Sequence, residues 1–311
     1  MNPDIGRIMK SPMRRRSFLL AALLALQPLA SGNAYAADGK LKVVASFSIL
    51  GDIVRNVGGD RVEITTLVGP DGDAHVFEPT PADARSVAGA DVVFVNGLGF
   101  EGWMERLIQA SGYKGPLVVA SGGVQSRTMD EDGQTVTDPH AWQDLRNGRL
   151  YVENVAAGLA AADPRGAEAY RAAAAAYEVE LAAKDKWVRD ELAAVPSEQR
   201  KIITSHDAFQ YFGAAYGVAF LAPVGVSTED EPSAAGMAQL VRQMRTEGVK
   251  VVFLENMTNP KLLETLATEV GARVGGTLYA DALSPPGGPA DTYLKMFDNN
   301  LPQLKAAMLG M

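Results

Sequence analysis

The chain has 311 residues, a formal net charge of −8, three histidines and no cysteine, with 47% apolar and 21% charged residues. A single core rarely grows past about 250–300 residues, so the length favours two domains. Without a thiol, disulfide scaffolds, cysteine zinc modules, iron–sulfur clusters and cysteine nucleophiles are excluded, and any metal has to sit on histidine and carboxylate ligands. The acidic balance also argues against a nucleic-acid partner, which needs a basic patch.

Residues 1–36 read as a delivery segment rather than as part of the fold. Arg14, Arg15 and Arg16 precede the apolar run Phe18–Leu26, and Ala34-Tyr35-Ala36 supplies small residues for signal peptidase, which places a cut before Ala37. The run is too short to span about 30 Å of hydrocarbon as a permanent anchor. Arg15-Arg16-Ser17-Phe18-Leu19 resembles an incomplete twin-arginine signal, but the strongly apolar run favours ordinary secretion. The segment removes five of 29 basic and one of 37 acidic residues, so the mature net charge becomes −12. With no cysteine after the apolar run, no lipobox is present, and the expected location is free in the periplasm of a Gram-negative bacterium.

From Lys42 onward, short apolar strands alternate with helices. Val43–Phe47 is the first expected strand and Ile49–Val57 a helix; Arg61–Val68 is the second strand, closed by Gly69-Pro70-Asp71-Gly72. Thr80 caps a helix that Pro81 opens and that runs to Ala88, before a third strand at Asp91–Val95. This alternation predicts a parallel sheet with helices on both faces. Residues 163–195, rich in Ala, Glu, Lys and Arg, then predict a single connecting helix starting at Asp163-Pro164. Some 30 residues at 1.5 Å each make a rigid rod of about 45 Å, long enough to span two lobes. Strands resume at Lys201–Ser205, Val218–Pro223, Lys250–Leu254 and Gly276–Tyr279. The expected organisation is therefore an α/β lobe over 37–162, the helix over 163–195 and a second α/β lobe over 196–311. An internal echo supports similar lobes: Val68-Gly69, Glu78-Pro79 and Val92-Val93-Phe94 recur as Val224-Gly225, Glu231-Pro232 and Val251-Val252-Phe253.

All three histidines fall in expected loops after strands, where open parallel sheets bind ligands: His75 in Asp73-Ala74-His75, His140 in Asp138-Pro139-His140, and His206 in Ser205-His206-Asp207. For any one of them alone, a hydrogen-bonded loop or core role is the commoner outcome. Their shared placement, with Asp281 at another strand end as an oxygen donor, makes a three-nitrogen, one-oxygen set suited to tetrahedral Zn²⁺. Asp281 read alone is equally a helix N-cap. Cu²⁺ also suits such a set, and a carboxylate in place of one imidazole would harden the site toward Mn²⁺. Asp73, Asp138 and Asp207 are candidate acceptors for the imidazoles, or simply backbone caps.

The segments Gly69–Thr80 around His75, Asp138-Pro139-His140-Ala141-Trp142, Thr204–Phe209 around His206 and Leu278–Ser284 around Asp281 resemble the four metal-ligand segments of the metal-specific solute-binding proteins of ABC importers, cluster A-I. The resemblance runs from about Lys42 to the C-terminus and includes Ala90–Gly99. It implies two α/β lobes joined by a long backbone helix with the ion in the cleft between them, His75 and His140 coming from the first lobe and His206 and Asp281 from the second. Histidine at the third position resembles the zinc-type members. The implied function is capture of Zn²⁺ and delivery to an inner-membrane ABC permease by a monomeric carrier, with no enzymatic activity; a periplasmic zinc metallochaperone is left open as a further partner. Mn²⁺ or Fe²⁺ capture is the alternative within the class. A zinc hydrolase with Asp281 or Glu78 as base is the alternative outside it.

Two segments depart from the family pattern. After His140 the family usually reads Val-Trp-Leu-Asp-Pro, whereas this chain has Ala141-Trp142-Gln143-Asp144-Leu145. Where many zinc-type members place a histidine-rich tract, residues 127–138 hold Asp130, Glu131 and Asp132 and no imidazole, and read as a solvated loop. Gly97-Leu98-Gly99-Phe100-Glu101-Gly102 matches a dinucleotide fingerprint, but it follows the third strand and lacks the acidic residue about 20 positions on; tight strand-to-helix turning accounts for its glycines.

Overall fold

The computed structural model describes residues 39–131, 134–229 and 234–311. The expected signal peptide and Glu231-Pro232 of the internal echo lie outside the described residues. The first lobe contains β1 (Leu41–Phe47), α1 (Ser48–Gly58), β2 (Val62–Val68), α2 (Pro81–Ala88), β3 (Val92–Val95), α3 (Met104–Ser111) and β4 (Leu117–Val119). A hairpin of β5 (Arg127–Glu131) and β6 (Gln134–Asp138) leads to α4 (Leu145–Ala162) and then α5 (Ala167–Ala193). The second lobe follows with β7 (Lys201–Ile203), α6 (Gln210–Tyr216), β8 (Ala219–Leu221), α7 (Ala234–Glu247), β9 (Val251–Glu255), α8 (Lys261–Val270), β10 (Arg273–Leu278) and α9 (Tyr293–Met308).

Both sheets are parallel, with strand orders β2-β1-β3-β4 and β8-β7-β9-β10. Counting strands within each lobe, the two orders are the same, which is the structural content of the internal echo. β1 is central and buried on both faces, so every residue of Leu41–Phe47 except Lys42 is apolar or small and buried. The Thr80 side chain accepts the N–H groups of Ala82 and Asp83 while the Asp83 carboxylate accepts the Thr80 N–H, a capping box that starts α2 where the sequence predicts.

The connecting helix is shorter than expected. Pro164–Gly166 form a separate 3₁₀ turn, and α5 runs 27 residues, about 40 Å. A Cβ on Gly166 would meet Arg61 Nε, Asp163 Oδ2 and the Tyr170 ring, so the chain packs tightly as it enters α5. The buried residues of α5, Tyr170, Ala174, Tyr177, Leu181, Val188 and Leu192, recur at three-, four- and seven-residue steps and form one apolar stripe. Ion pairs from Lys184 to Asp298 and from Lys305 to Glu191 tie this helix to α9.

Two elements differ from the sequence expectation. Residues 145–162 form α4, which the glycines at 148 and 158 conceal; a Cβ on Gly158 would lie 2.8 Å from Phe94, so the glycine lets α4 settle on β3. The acidic segment expected as a solvated loop is an antiparallel hairpin, paired from Arg127↔Asp138 to Glu131↔Gln134. This hairpin delivers the chain to His140.

Candidate metal centre

Each candidate ligand emerges from a strand end and is fixed by its own neighbours. His75 sits in the turn after β2, where Asp73 Oδ1 accepts its backbone N–H at 2.9 Å and Trp103 Nε1 donates to the Ala74 carbonyl at 2.7 Å. His140 follows β6 of the hairpin rather than a core-sheet strand; Asp138 Oδ1 accepts both its N–H, at 3.0 Å, and its Nδ1–H, at 2.9 Å. His206 follows β7, and Glu255 at the end of β9 accepts the N–H groups of Ser205 and His206 at 2.8 and 3.1 Å on Oε1. The other Glu255 oxygen sits against His206 Nδ1. Asp281 follows β10, with the preceding Ala280 carbonyl accepting from Trp142 Nε1 at 2.9 Å and Gln143 Nε2 at 2.8 Å.

The structure brings all four sequence-predicted residues together, with one donor atom from each within 4.8 Å of the others. His140 Nε2 lies 3.3 Å from both His75 Nε2 and His206 Nε2. The Asp281 oxygens lie 3.3, 3.5 and 3.0 Å from His75, His140 and His206 Nε2. A regular tetrahedron around Zn²⁺ with bonds of about 2.0–2.1 Å has edges of about 3.3–3.4 Å. Five of the six donor pairs, measured to one or other Asp281 oxygen, are therefore close to the edges of such a polyhedron, and all four donors lie within 4.8 Å of one another.

Proton inventory points the same way. When both rings are neutral, with Nδ1–H of His140 on Asp138 and Nδ1–H of His206 on Glu255, the two Nε2 atoms turn lone pairs toward one another across 3.3 Å. Both Asp281 oxygens are buried without a hydrogen-bond donor. Lone pairs facing inward in a buried site require a cation or protons between them.

Three buried carboxylates, Asp138, Asp281 and Glu255, surround the imidazoles, and their ion pairs in the site are all with those rings. Burial opposes a charge on His140, but Asp281 and Asp138 outweigh it and push its pKa up to about 9. Burial likewise opposes charge on His206, which Glu255 and Asp281 override to hold it well above the ordinary range. His75 goes the other way, because burial outweighs Asp281 and lowers it. Against its own burial, Asp281 is kept well below the usual carboxylate range by His206 and His140. The site is thus built for compensating positive charge.

Of the three aspartates singled out as acceptors, only Asp138 contacts an imidazole ring. Asp73 holds the backbone of His75 and, through Oδ2, accepts from Thr228 Oγ1 at 2.7 Å. Asp207 accepts from Gln210, and burial raises its carboxyl to about 6. Glu255 escapes the sequence reading; its one signal is an acid closing the apolar run Val251–Leu254. Phe100 also escapes it, placing its ring 4.8 Å from His75 and 4.9 Å from Trp142 as an apolar wall. The dinucleotide-like segment is a tight turn: Gly97, Leu98 and Gly99 all have positive φ, and the Glu101 carboxylate accepts the N–H groups of Asn96 and Gly97. The chain's own acid occupies the N–H groups of the turn. Glu78, the alternative base, is exposed.

The model of the family described as ZnuA, zinc-uptake complex component A, periplasmic, matches residues 43–307. The chain belongs to this family. It is a substrate-binding protein of the metal ABC transporters, which pair with a membrane permease. It is 35% identical over 285 residues to the manganese-binding lipoprotein MntA of Halalkalibacterium halodurans, covering 91% of this chain and 94% of the relative. The iron-binding protein YfeA of Yersinia pestis is 30% identical, covering 93% and 96%. Among solved structures, the periplasmic zinc binding protein TroA of Treponema pallidum superposes with a TM-score of 0.82 at 29% identity, covering 87% of this chain and 99% of that one. These relatives carry manganese, iron and zinc in their names. The expected location, free in the periplasm after signal cleavage, is corrected by the same comparison: relatives including MntA are named lipoproteins, so the missing lipobox does not fix where a member of this family resides.

Proposed function

We propose that this protein captures Zn²⁺ and delivers it to the permease of an ABC importer, with His75, His140, His206 and Asp281 as the four ligands. The observation that carries the reading is the convergence of three imidazole nitrogens and one carboxylate within 4.8 Å, with five of the six donor pairs at 3.0–3.5 Å, close to the edges of a tetrahedral zinc site. Imidazole-rich sets suit zinc and iron, whereas Mn²⁺ prefers carboxylate, carbonyl and water oxygens. The lobes are taken as 37–162 and 196–311, with 163–195 as the connector. One chain supplies every donor, so the working unit is a monomer.

A carrier is favoured over a hydrolase because four protein ligands leave no position for an activated water. Asp281 sits at ligand distance rather than at the reach of a base acting through water, and Glu78 faces solvent. The names of the relatives favour a second reading, Mn²⁺ or Fe²⁺ capture. The test is the metal content of protein recovered from cells grown with all three metals, followed by competition titration of the apo-protein. Zinc at one per chain with a dissociation constant well below micromolar is expected; manganese or iron at one per chain, or zinc binding at micromolar or weaker, overturns the zinc reading.

A further inference from the structure

Chain order assigns His206 and Asp281 to the same lobe, yet their surroundings differ. His206 is held entirely by the second lobe. Thr204 N–H donates to the Leu221 carbonyl, Asp207 N–H to Gly225, and the Ser205 and His206 N–H groups to Glu255, while His206 bridges to Val224 as an extra step of the sheet. It borders a cavity of about 430 Å³ lined by Ser205, Val224, Thr258 and Leu262 of the second lobe and by Asp73 of the first. The segment after Ala280 is held differently. The Ala280 carbonyl accepts from Trp142 and Gln143, Leu283 N–H donates to Ser48 Oγ at 2.9 Å, the Leu283 carbonyl accepts from Asp71 N–H at 3.0 Å, and Tyr293 N–H donates to Asp52 Oδ2 at 2.9 Å. The Tyr293 hydroxyl also donates to the Trp142 carbonyl. All of these partners precede α5. The second lobe holds the segment through Asn256, at 3.3 Å to the Ala282 carbonyl, and through Asn300 on Tyr279.

We infer that the metal centre is divided three to one: His75, His140 and Asp281 form a half-site on the first lobe, Gln143 with Trp142 is the positioning pair that keeps Asp281 there, and His206 is the ligand that leaves when the lobes part. This rests on the four-ligand reading above and adds to it an order of events. Apart from the imidazoles it faces, the buried Asp281 carboxylate is placed by its backbone, and Gln143 is itself buried, so its bond to Ala280 is made away from competing water. Three ligands on one body offer an ion a preassembled site. Swinging one imidazole away, toward the neighbouring cavity, then opens a coordination position to the receiving permease without dismantling the rest.

The test uses Co²⁺ as probe, titrated into the apo-protein against a chelator. Gln143→Leu is compared with its parent in three backgrounds: wild type, His206→Ala and Asp281→Ala. In the division proposed, Gln143→Leu weakens Co²⁺ binding by about tenfold in the wild-type and His206→Ala backgrounds, because Asp281 is still the ligand being positioned. In the Asp281→Ala background its effect falls below about twofold, because nothing remains to position. The same loss in all three backgrounds would make Gln143 a general contact between lobes and overturn the division, as would disappearance of the effect with His206→Ala. Gln143→Met, which removes the donor and keeps the length, serves as the second variant where leucine impairs folding. Failure of the wild-type protein to bind Co²⁺ would instead overturn the four-ligand reading itself.

Discussion

Asp138→Asn removes one negative charge from the centre while leaving an oxygen to accept from His140. Asp138 is fully buried, and its Oδ1 receives the His140 N–H and Nδ1–H at 3.0 and 2.9 Å. The amide oxygen can take both bonds, so the imidazole keeps its tautomer and Nε2 still faces the ion. What is lost is the charge that makes His140 a stronger base and a better ligand. Outer partners of this kind are worth about 10–100-fold in metal affinity, or about 1.4–2.7 kcal/mol. Zinc affinity measured by competition titration should fall by that factor. At equal free zinc, the stabilisation on metal binding should therefore shrink by about 1.4–2.7 kcal/mol in chemical unfolding. Zinc affinity within threefold of wild type would refute the claim that Asp138 acts on the ion through His140.

Three further outcomes are expected. Burial raises Asp52 to about 6 from an ordinary 3.8, so the folded state holds this proton more tightly than the unfolded chain. Its contribution is then fully present below pH 3.8 and lost as pH rises through 6, a change of about 3 kcal/mol. Asp52→Asn should gain stability relative to wild type by up to that amount between pH 4.5 and 7.5, read from urea midpoints of the apo-protein; a pH-independent difference would contradict this. Deleting Met129–Gln134 shortens the hairpin but leaves the Arg127↔Asp138 and Thr128↔Thr137 pairs that lead to His140, so equilibrium zinc affinity should stay within tenfold, and a larger loss would mean that the acidic tip supplies a ligand. Gly158→Ala should destabilise the fold by about 1–3 kcal/mol in denaturant unfolding, because the new Cβ meets Phe94 at 2.8 Å and Val118 at 2.9 Å; an unchanged midpoint would mean that α4 yields freely.

The parts legible in the sequence are those where local chemistry and tertiary role agree. Thr80-Pro81 both caps and opens α2, and Leu41–Phe47 is apolar along its length because both faces of β1 are covered. The four candidate ligands were legible because the chain has only three imidazoles and each stands at a strand end. The helix α4 was not, since Gly148 and Gly158 read as breakers until Tyr293 and Phe94 are seen to occupy the space their side chains would need. Glu255 was hidden because an acid at the end of an apolar strand has no local signature; its role depends on β9 and β7 being neighbours. The attachment of the Asp281 segment to residues before α5 was equally invisible, because it joins positions more than 130 residues apart, as in Trp142 to Ala280.

X-ray absorption on the zinc-loaded protein tests the central claim most directly, since it counts the atoms around the ion. The account predicts four nitrogen and oxygen scatterers at about 2.0–2.1 Å, three of them bearing the outer-shell pattern of imidazole, and the loss of one imidazole in His206→Ala. Two or fewer imidazoles in the wild-type protein, or a spectrum unaltered by that substitution, would contradict it.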